Sequence, residues 1–309
     1  MGIKQRIAGV VVTYNRKHLL KRCLEALSSQ NFKPQVVFIV DNASTDGTME
    51  SVQEWGFYNC FNNGIEYRYI RNSHNEGGAG GFHIGIKTAY ESDADGVWVM
   101  DDDGQPEKQC LAELVKHLGD NDYLAPIVLS DEDHKSCSFA PDFEEKETFI
   151  GKQEVHEGLI KDWASPFNGI LYSHKLIEKI GFPKREMFIW GDEQNYHLRA
   201  VRAGMPPVTV VDAIHYHPLD RQEKIDYKGY KLTIANSDWK QYCYLRNSWY
   251  NRIHVTGRPI TGLFANIHSL SIYHSYYCKE KKTRKFSLLM DAYVSAVFGR
   301  FSGLKKYMK

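Results

Sequence analysis

The sequence predicts an α/β protein: a doubly wound, largely parallel sheet flanked by helices, followed by a C-terminal helical region. Three observations predict it. Over the first hundred residues, short β-branched apolar runs alternate with segments of helical period. Polar clusters sit directly behind those runs, where open α/β sheets bind ligands. After about residue 235 the texture changes to aromatic-rich helices.

Each element has its own justification. "IAGVVVTY" (7–14) is short, β-branched and apolar on both faces, as a buried strand must be. "RKHLLKRCLEALSSQ" (16–30) places apolar residues at 19, 20, 23, 24 and 27, a helical stripe. "QVVFIVDNAS" (35–44) reads as a second strand running into a turn. "STDGTMESVQEW" opens with a capping pattern and reads as a second helix. "IEYRYIRN" (65–72), "GGFHIGIKTAYES" (80–92) and "GVWVMDDD" (96–103) continue the alternation as strand, helix and strand. Residues 130–165 are rich in acids and lysines and weakly periodic, so they read as a surface excursion or short strands. Order returns with "FNGILYSHKLIEKIGF", a helix in "MFIWGDEQNYHLRAVRAG" carrying its acids at the start, and a strand in "PPVTVVDAIHYHP" (206–218).

The bulk numbers narrow the class. A chain of 309 residues with 42% apolar content suits one large α/β domain with an appendage, or two modest domains. A formal charge of +1 gives no global field for nucleic acid. Six cysteines without a CxxC pair argue against a disulfide framework or zinc–thiolate site and fit a reducing cytosol. The four-residue apolar stretch near the N-terminus is too short for a signal peptide. No window reaches the ~18 apolar residues of a membrane span.

The stretch "VWVMDDDGQPE" (97–107) carries the chemistry. Three adjacent aspartates repel one another unless something positive joins them. Asp101 and Asp103, two residues apart on extended chain, fall on one side with Asp102 opposite. Two converging carboxylates make a hard-oxygen site for Mg²⁺ or Mn²⁺, whose usual further partner is phosphate. A solvated turn is the competing reading, since aspartate is a good turn residue.

Taken together, "VVVTYNR" (10–16), "VDNASTDGT" (40–48), "NEGGAGGF" (75–82), "MDDDGQPE" (100–107), "FNG" (167–169), "FIWGDEQNYHLRAVRAG" (188–204) and "AIHYHP" (213–218) resemble the inverting glycosyltransferases of family 2. The resemblance implies a GT-A fold, a mixed sheet flanked by helices. It implies a catalytic domain over 1–225, with a nucleotide-sugar half at about 1–104 and an acceptor half at about 105–225. Residues 226–309 are then a C-terminal aromatic and basic helical region.

The resemblance also implies roles. Asp41 would accept from a pyrimidine N3–H, in a nucleotide pocket shared with Thr13, Tyr14, Arg16 and Asp102. Asn75, Gly77, Gly78, Gly80 and Gly81 would let backbone approach the donor and lead into a helix N-terminus. The general base falls at the second acid of the pair, Glu193, where the family usually has aspartate, so Asp192 stays open. Charge at a helix N-terminus is the competing role for both. His217 would complete the metal set, with His215, two residues away on the same strand face, as the alternative. Trp163, Phe167, Asn168 and Trp190 would border the acceptor.

"GGAGGF" followed by "MDDDG" most resembles enzymes that transfer galactofuranose from UDP-galactofuranose; rhamnosyl transfer from dTDP-rhamnose is the alternative. The acceptor would be a glycan or polyprenyl-linked sugar in bacterial surface polysaccharide synthesis. The basic "CKEKKTRKF" and the apolar "FSLLMDAYVSAVFGRFSGLKKYMK" suit an interfacial helix on anionic lipid, at the inner face of the cell membrane. Packing on the chain's own domain, or on a second copy in a homo-oligomer, competes. A nucleotidyltransferase would want a basic glycine-rich loop that "AGVVVTYNR" does not provide. A non-catalytic binding module would have no use for both acids at 192 and 193.

Overall fold

The computed structural model describes residues 5–139, 143–219 and 223–308. Lys309 of the basic tail, and residues 220–222 near the expected domain boundary, lie outside them.

The first half follows the expected alternation. Strand β1 (Ile7–Thr13) leads to α1 (Lys17–Ser28), β2 (Val36–Asp41), α2 (Thr48–Glu54), β3 (Cys60–Asn62), β4 (Ile65–Arg71), α3 (Gly77–Tyr90) and β5 (Gly96–Asp101). Strands β4, β2, β1 and β5 lie side by side and parallel. Their register pairs Thr13 with Asp41, Val12 with Asp101, and Asp41 with Arg71. The carboxyl ends of all four therefore stand at one edge. Strand β3 was not read from the sequence. Its signal is Asn63–Gly64, whose φ values of 49° and 81° are those of a tight hairpin turn.

The second half holds β6 (Gln105–Pro106), α4 (Cys110–Val115), β7 (Tyr123–Ser130), α5 (Lys146–Gly151), β8 (Val155–His156), β9 (Leu159–Lys161), β10 (Asn168–Ser173), α6 (His174–Ile180), α7 (Asp192–Arg202) and β11 (Val208–His217). It makes the sheet mixed, as the GT-A resemblance implies, beyond the parallel strands of the first hundred residues. Strand β10 runs antiparallel between β5 and β7, and β9 runs antiparallel to β11. Strand β7 has all eight residues buried, yet its run "YLAPIVLS" carries no alternation to mark it. The acceptor half thus joins the nucleotide half as one eleven-stranded mixed sheet.

Both faces of that sheet are covered. Ile7 and Val11 of β1 pack under α1, where Leu20, Cys23, Leu24 and Leu27 are fully buried. Each buried leucine there stabilises the fold by about 1.5–3 kcal/mol. Ala8, Val10 and Val12 face α3 on the other side.

A third core belongs to the C-terminal region. It is built from the hairpin β12 (Glu223–Tyr227) and β13 (Tyr230–Ile234), with α8 (Asp238–His254), α9 (Pro259–Lys279) and α10 (Lys285–Phe298). Trp249, Tyr242, Tyr273, Leu289 and Ala292 are buried in it. Phe188 and Ile189, from the chain just before α7, pack against the same cluster. No helix among the described residues is long and apolar enough to cross a membrane.

Candidate active site

At the shared strand edge lies a cavity of about 1390 Å³. Thr13, Tyr14, Arg16, Asn75, Gly77, Gly78, Asp101, Asp102, Asp103, Trp163, Phe167, Asn168, Trp190, Asp192, Glu193 and His217 all line it. Residues from six separated stretches of sequence thus meet in one place.

The three aspartates are neutralised unequally. Thr13 Oγ1 donates to Asp102 Oδ2 at 2.7 Å, and Arg16 Nη1 reaches Asp102 Oδ1 at 3.4 Å and Asp103 Oδ2 at 3.0 Å. Part of the positive charge demanded by the cluster is therefore Arg16. Burial still pushes Asp102 up to about 6, against the pull of Arg16. Asp101 has no ion-pair partner at that range among the described residues. Burial first, then the charges of Asp103 and Asp102, push it up to about 8.

Asp101, Asp103 and His217 present ligand atoms all within 4.8 Å of one another. His217 Nδ1 stands 2.6 Å from the Pro218 carbonyl, and so carries a proton and donates it there. Nε2 is thereby turned toward Asp103 Oδ1, 3.2 Å away. That oxygen is buried and makes no well-aligned hydrogen bond. A neutral imidazole nitrogen and a carboxylate oxygen repel at this distance unless a positive species joins them. A proton on Nε2 satisfies the pair, and so does a divalent cation. Burial opposes the His217 charge, but the Asp103 carboxylate outweighs it and raises its pKa. A histidine whose second nitrogen donates to a carbonyl is the usual form of a metal ligand. The residues fit a divalent cation.

His215 is not part of this set. Its ring lies between Gly104 and Gly169, where any added Cβ would meet it at 2.5 and 2.7 Å. It is fully buried, and burial drives its pKa down to about 3, so it is a neutral packing group. Past the bulge of β11 between Val210 and Ile214, His215 pairs with Val128 and His217 with Ser130, so His217 stands two residues nearer the strand end and lines the cavity.

The acids at the start of α7 have different surroundings. Asp192 is buried, and burial together with the neighbouring Glu193 raises its pKa well above the ordinary carboxylate range. Glu193 folds back so that both oxygens accept from the Gly191 N–H, at 2.9 and 2.8 Å. Both acids sit at a helix N-terminus, a place that favours an anion.

Three residues expected to touch the donor lie behind the lining. Asp41 is fully buried; Oδ2 accepts from Tyr69 Oη at 2.6 Å and Arg71 Nη1 at 3.0 Å, and Oδ1 from the Ser44 N–H at 2.8 Å. Gly80 and Gly81 sit inside α3. A Cβ at Gly81 would meet Val12 Cγ1 at 2.4 Å, and one at Gly80 would meet Glu76 Cβ at 2.3 Å. Gly81 permits close helix–strand packing. Of the glycines in the run, Gly77 and Gly78 line the cavity.

The structure adds residues that sequence reasoning did not reach. Asn42, Phe82 and Phe139 join the lining, as do Thr233, Asn236, Trp239, Lys240 and Met308 from the C-terminal region. The dense aromatics after residue 235 are the one sequence signal that pointed there.

Comparison with known proteins places the family. Residues 10–181 match the profile of Glycosyl transferase family 2. Galactofuranosyltransferase GlfT1 of Mycolicibacterium smegmatis is 28% identical over 259 residues, 79% of this chain and 82% of that protein. GlfT1 of Mycobacterium tuberculosis is 31% identical over 230 residues, 71% of this chain and 72% of its own length. Among solved structures, S. aureus TarS 1–349 superposes with a TM-score of 0.60 at 16% identity, covering 97% of this chain and 83% of that one. A mannosyltransferase from Pyrobaculum calidifontis, solved with GDP-Man and Mn²⁺, gives 0.55 at 17% identity over 97% and 89% of the two chains. The structural likeness fixes the fold as GT-A. The profile takes in more than half of the chain and a relative at 31% identity spans more than two thirds of both proteins, so the protein belongs to glycosyl transferase family 2 and is a glycosyltransferase.

Proposed function

We propose that the protein transfers galactofuranose from UDP-galactofuranose, with inversion, to a glycan or polyprenyl-linked acceptor in cell-envelope polysaccharide synthesis. One observation carries the reading: the Asp101–Asp103–His217 set and the Asp192–Glu193 pair line the same cavity. The sugar is supported by the likeness to the two GlfT1 proteins.

Asp101, Asp103 and His217 hold the divalent cation, Mn²⁺ or Mg²⁺. When bound, that ion supplies positive charge against the departing diphosphate. Thr13 and Arg16 hold Asp102 and orient the cluster. Tyr14, Asn75, Gly77, Gly78 and Asp102 border the nucleotide sugar, with Asp41, Gly80 and Gly81 as the layer beneath. Glu193 accepts the proton of the acceptor hydroxyl as its oxygen attacks the anomeric carbon and the bond to diphosphate breaks. Asp192, its carboxyl pushed well above the ordinary range by burial and by Glu193, lies beside it. Trp163 and Trp190 offer ring faces to the acceptor sugar, and Asn168 offers directional hydrogen bonds. Residues 1–225 form the catalytic domain, and 226–309 close the cavity from the other side.

The test is a panel of sugar nucleotides with Mn²⁺ or Mg²⁺, following release of the nucleoside diphosphate. Turnover of UDP-galactofuranose alone is the expected result. Turnover of dTDP-rhamnose in its place would overturn the sugar assignment.

A further inference from the structure

The chain before the acid pair is bent in an unusual way. Phe188 and Trp190 have φ of 67° and 58°, left-handed values that side chains other than glycine rarely adopt, and Gly191 follows at 95°. Such residues persist only where their surroundings hold them, and they gather at functional sites.

Here the surroundings can be named. Asn247 of α8, fully buried, directs Nδ2 at the carbonyl oxygens of Met187, Ile189 and Trp190, at 3.0, 3.0 and 2.6 Å. Arg246 Nε donates to Asn247 Oδ1 at 2.9 Å, which fixes which end of the amide faces the loop. Arg246 Nη2 also donates to the Met187 carbonyl, at 2.8 Å. Asn251, one helical turn on, donates Nδ2 to the Gly191 carbonyl at 2.8 Å, and its Oδ1 accepts from Asn195 Nδ2 of α7 at 2.9 Å. The remaining carbonyl, Phe188, accepts from the Ala79 N–H of α3 at 3.1 Å. Five consecutive carbonyls are thus each satisfied, chiefly by side chains of one distant helix. Closeness matters too: a Cβ at Gly191 would lie 2.8 Å from Asn247 Cβ, and one at Gly77 would lie 1.9 Å from the Phe188 oxygen.

We infer that Asn247 and Asn251 are positioning residues for the transfer reaction: they hold the 187–191 loop in its left-handed path and thereby aim Trp190, Asp192 and Glu193 into the cavity. Neither residue lines the cavity, so they act through the loop. The family match ends at residue 181, short of both the loop and α8. The inference rests on the proposed reading of the acid pair as the proton acceptor. Its chemistry is geometric, since misplacing a catalytic group by about 1 Å costs on the order of 100-fold in rate.

The test compares Asn247→Asp, which keeps shape and removes every donor, with Asn251→Ser, which shortens the reach to Gly191. Each is measured for kcat, donor KM, UDP affinity by calorimetry with Mn²⁺, and melting temperature. Glu193→Gln and Asp192→Asn run alongside. The expected result is a fall in kcat of roughly 10- to 100-fold, with UDP affinity within twofold of the parent, because the nucleotide edge of β1, β2 and β5 is untouched. Should Asn247→Asp fail to fold, Asn251→Ser carries the same comparison. Near-parental kcat in the asparagine variants while the acid variants are slow would overturn the inference and leave the base reading standing. UDP affinity and kcat falling together with melting temperature would mean the asparagines serve the fold alone. Normal transfer by both acid variants would remove the base reading, and this inference with it.

Discussion

Arg16 settles two of the three adjacent aspartates and leaves Asp101, whose carboxyl is pushed up to about 8 by burial and by Asp103 and Asp102. A sign follows for ion binding. Below its pKa Asp101 keeps a proton that a cation must displace, so ion-dependent UDP affinity should rise with pH up to about 8 and level off above it. Calorimetry in buffers of different ionisation heat reads both the slope and the released proton; a flat profile would contradict it. Asp101→Asn should abolish the ion dependence, as should Asp103→Asn. The acid pair makes a second prediction at this scale. Glu193→Gln should lower kcat by roughly 10²–10⁴-fold, the usual worth of a general base, and leave UDP affinity unchanged. If Asp192→Asn shows the larger loss, the two acids exchange roles.

At the scale of elements, the sheet decides where chemistry gathers and glycine decides how closely helices approach it. Helix α3 sits on β1 with no side chain between them at Gly81 and Gly85, where added Cβ atoms would each meet a valine methyl at 2.4 Å. Gly81→Ala should destabilise the fold by about 1–3 kcal/mol, the range for overpacking a filled interface, read from urea unfolding midpoints. An unchanged midpoint would show that α3 can slide. The insertion of β10 antiparallel between β5 and β7 is the other decision made here. It brings Phe167 and Asn168, at its start, alongside Met100 and the aspartates.

At the scale of the molecule, the C-terminal region both closes the cavity and turns a separate surface outward. Helix α10 buries Leu288, Leu289, Ala292 and Ala296 against its own neighbours, and so serves the fold. Its other face exposes Phe286, Val294 and Phe298, the last 66% exposed, and α9 exposes Ile260 and Phe264. With Arg284 and Arg300 close by in sequence, we propose this face of α10 for peripheral contact with anionic lipid. We predict that the protein floats with anionic vesicles and not with zwitterionic ones, and that Phe298→Asp weakens flotation without lowering the melting temperature. Equal flotation of the variant would sink that contact.

Much was legible in the sequence because local rules suffice for it. Short β-branched apolar runs and period-3.6 stripes mark β1, α1, β2, β4, α3 and β5, and a parallel α/β order obliges their polar ends to share an edge. Hence Thr13, Asp101, Asp103, Asp192, Glu193 and His217 could be named before any coordinates, and one cavity holds them. Tertiary structure alone decided the rest. Pro126 in the middle of β7 breaks its strand signal; His215 and His217 share a face and differ only in depth along β11; and Gly81 looks like a ligand glycine until Val12 is seen beneath it. The hold of Asn247 on residues 187–190 spans about sixty residues of chain. Contacts of that separation leave no local periodicity, because their energy exists only once the intervening chain has folded.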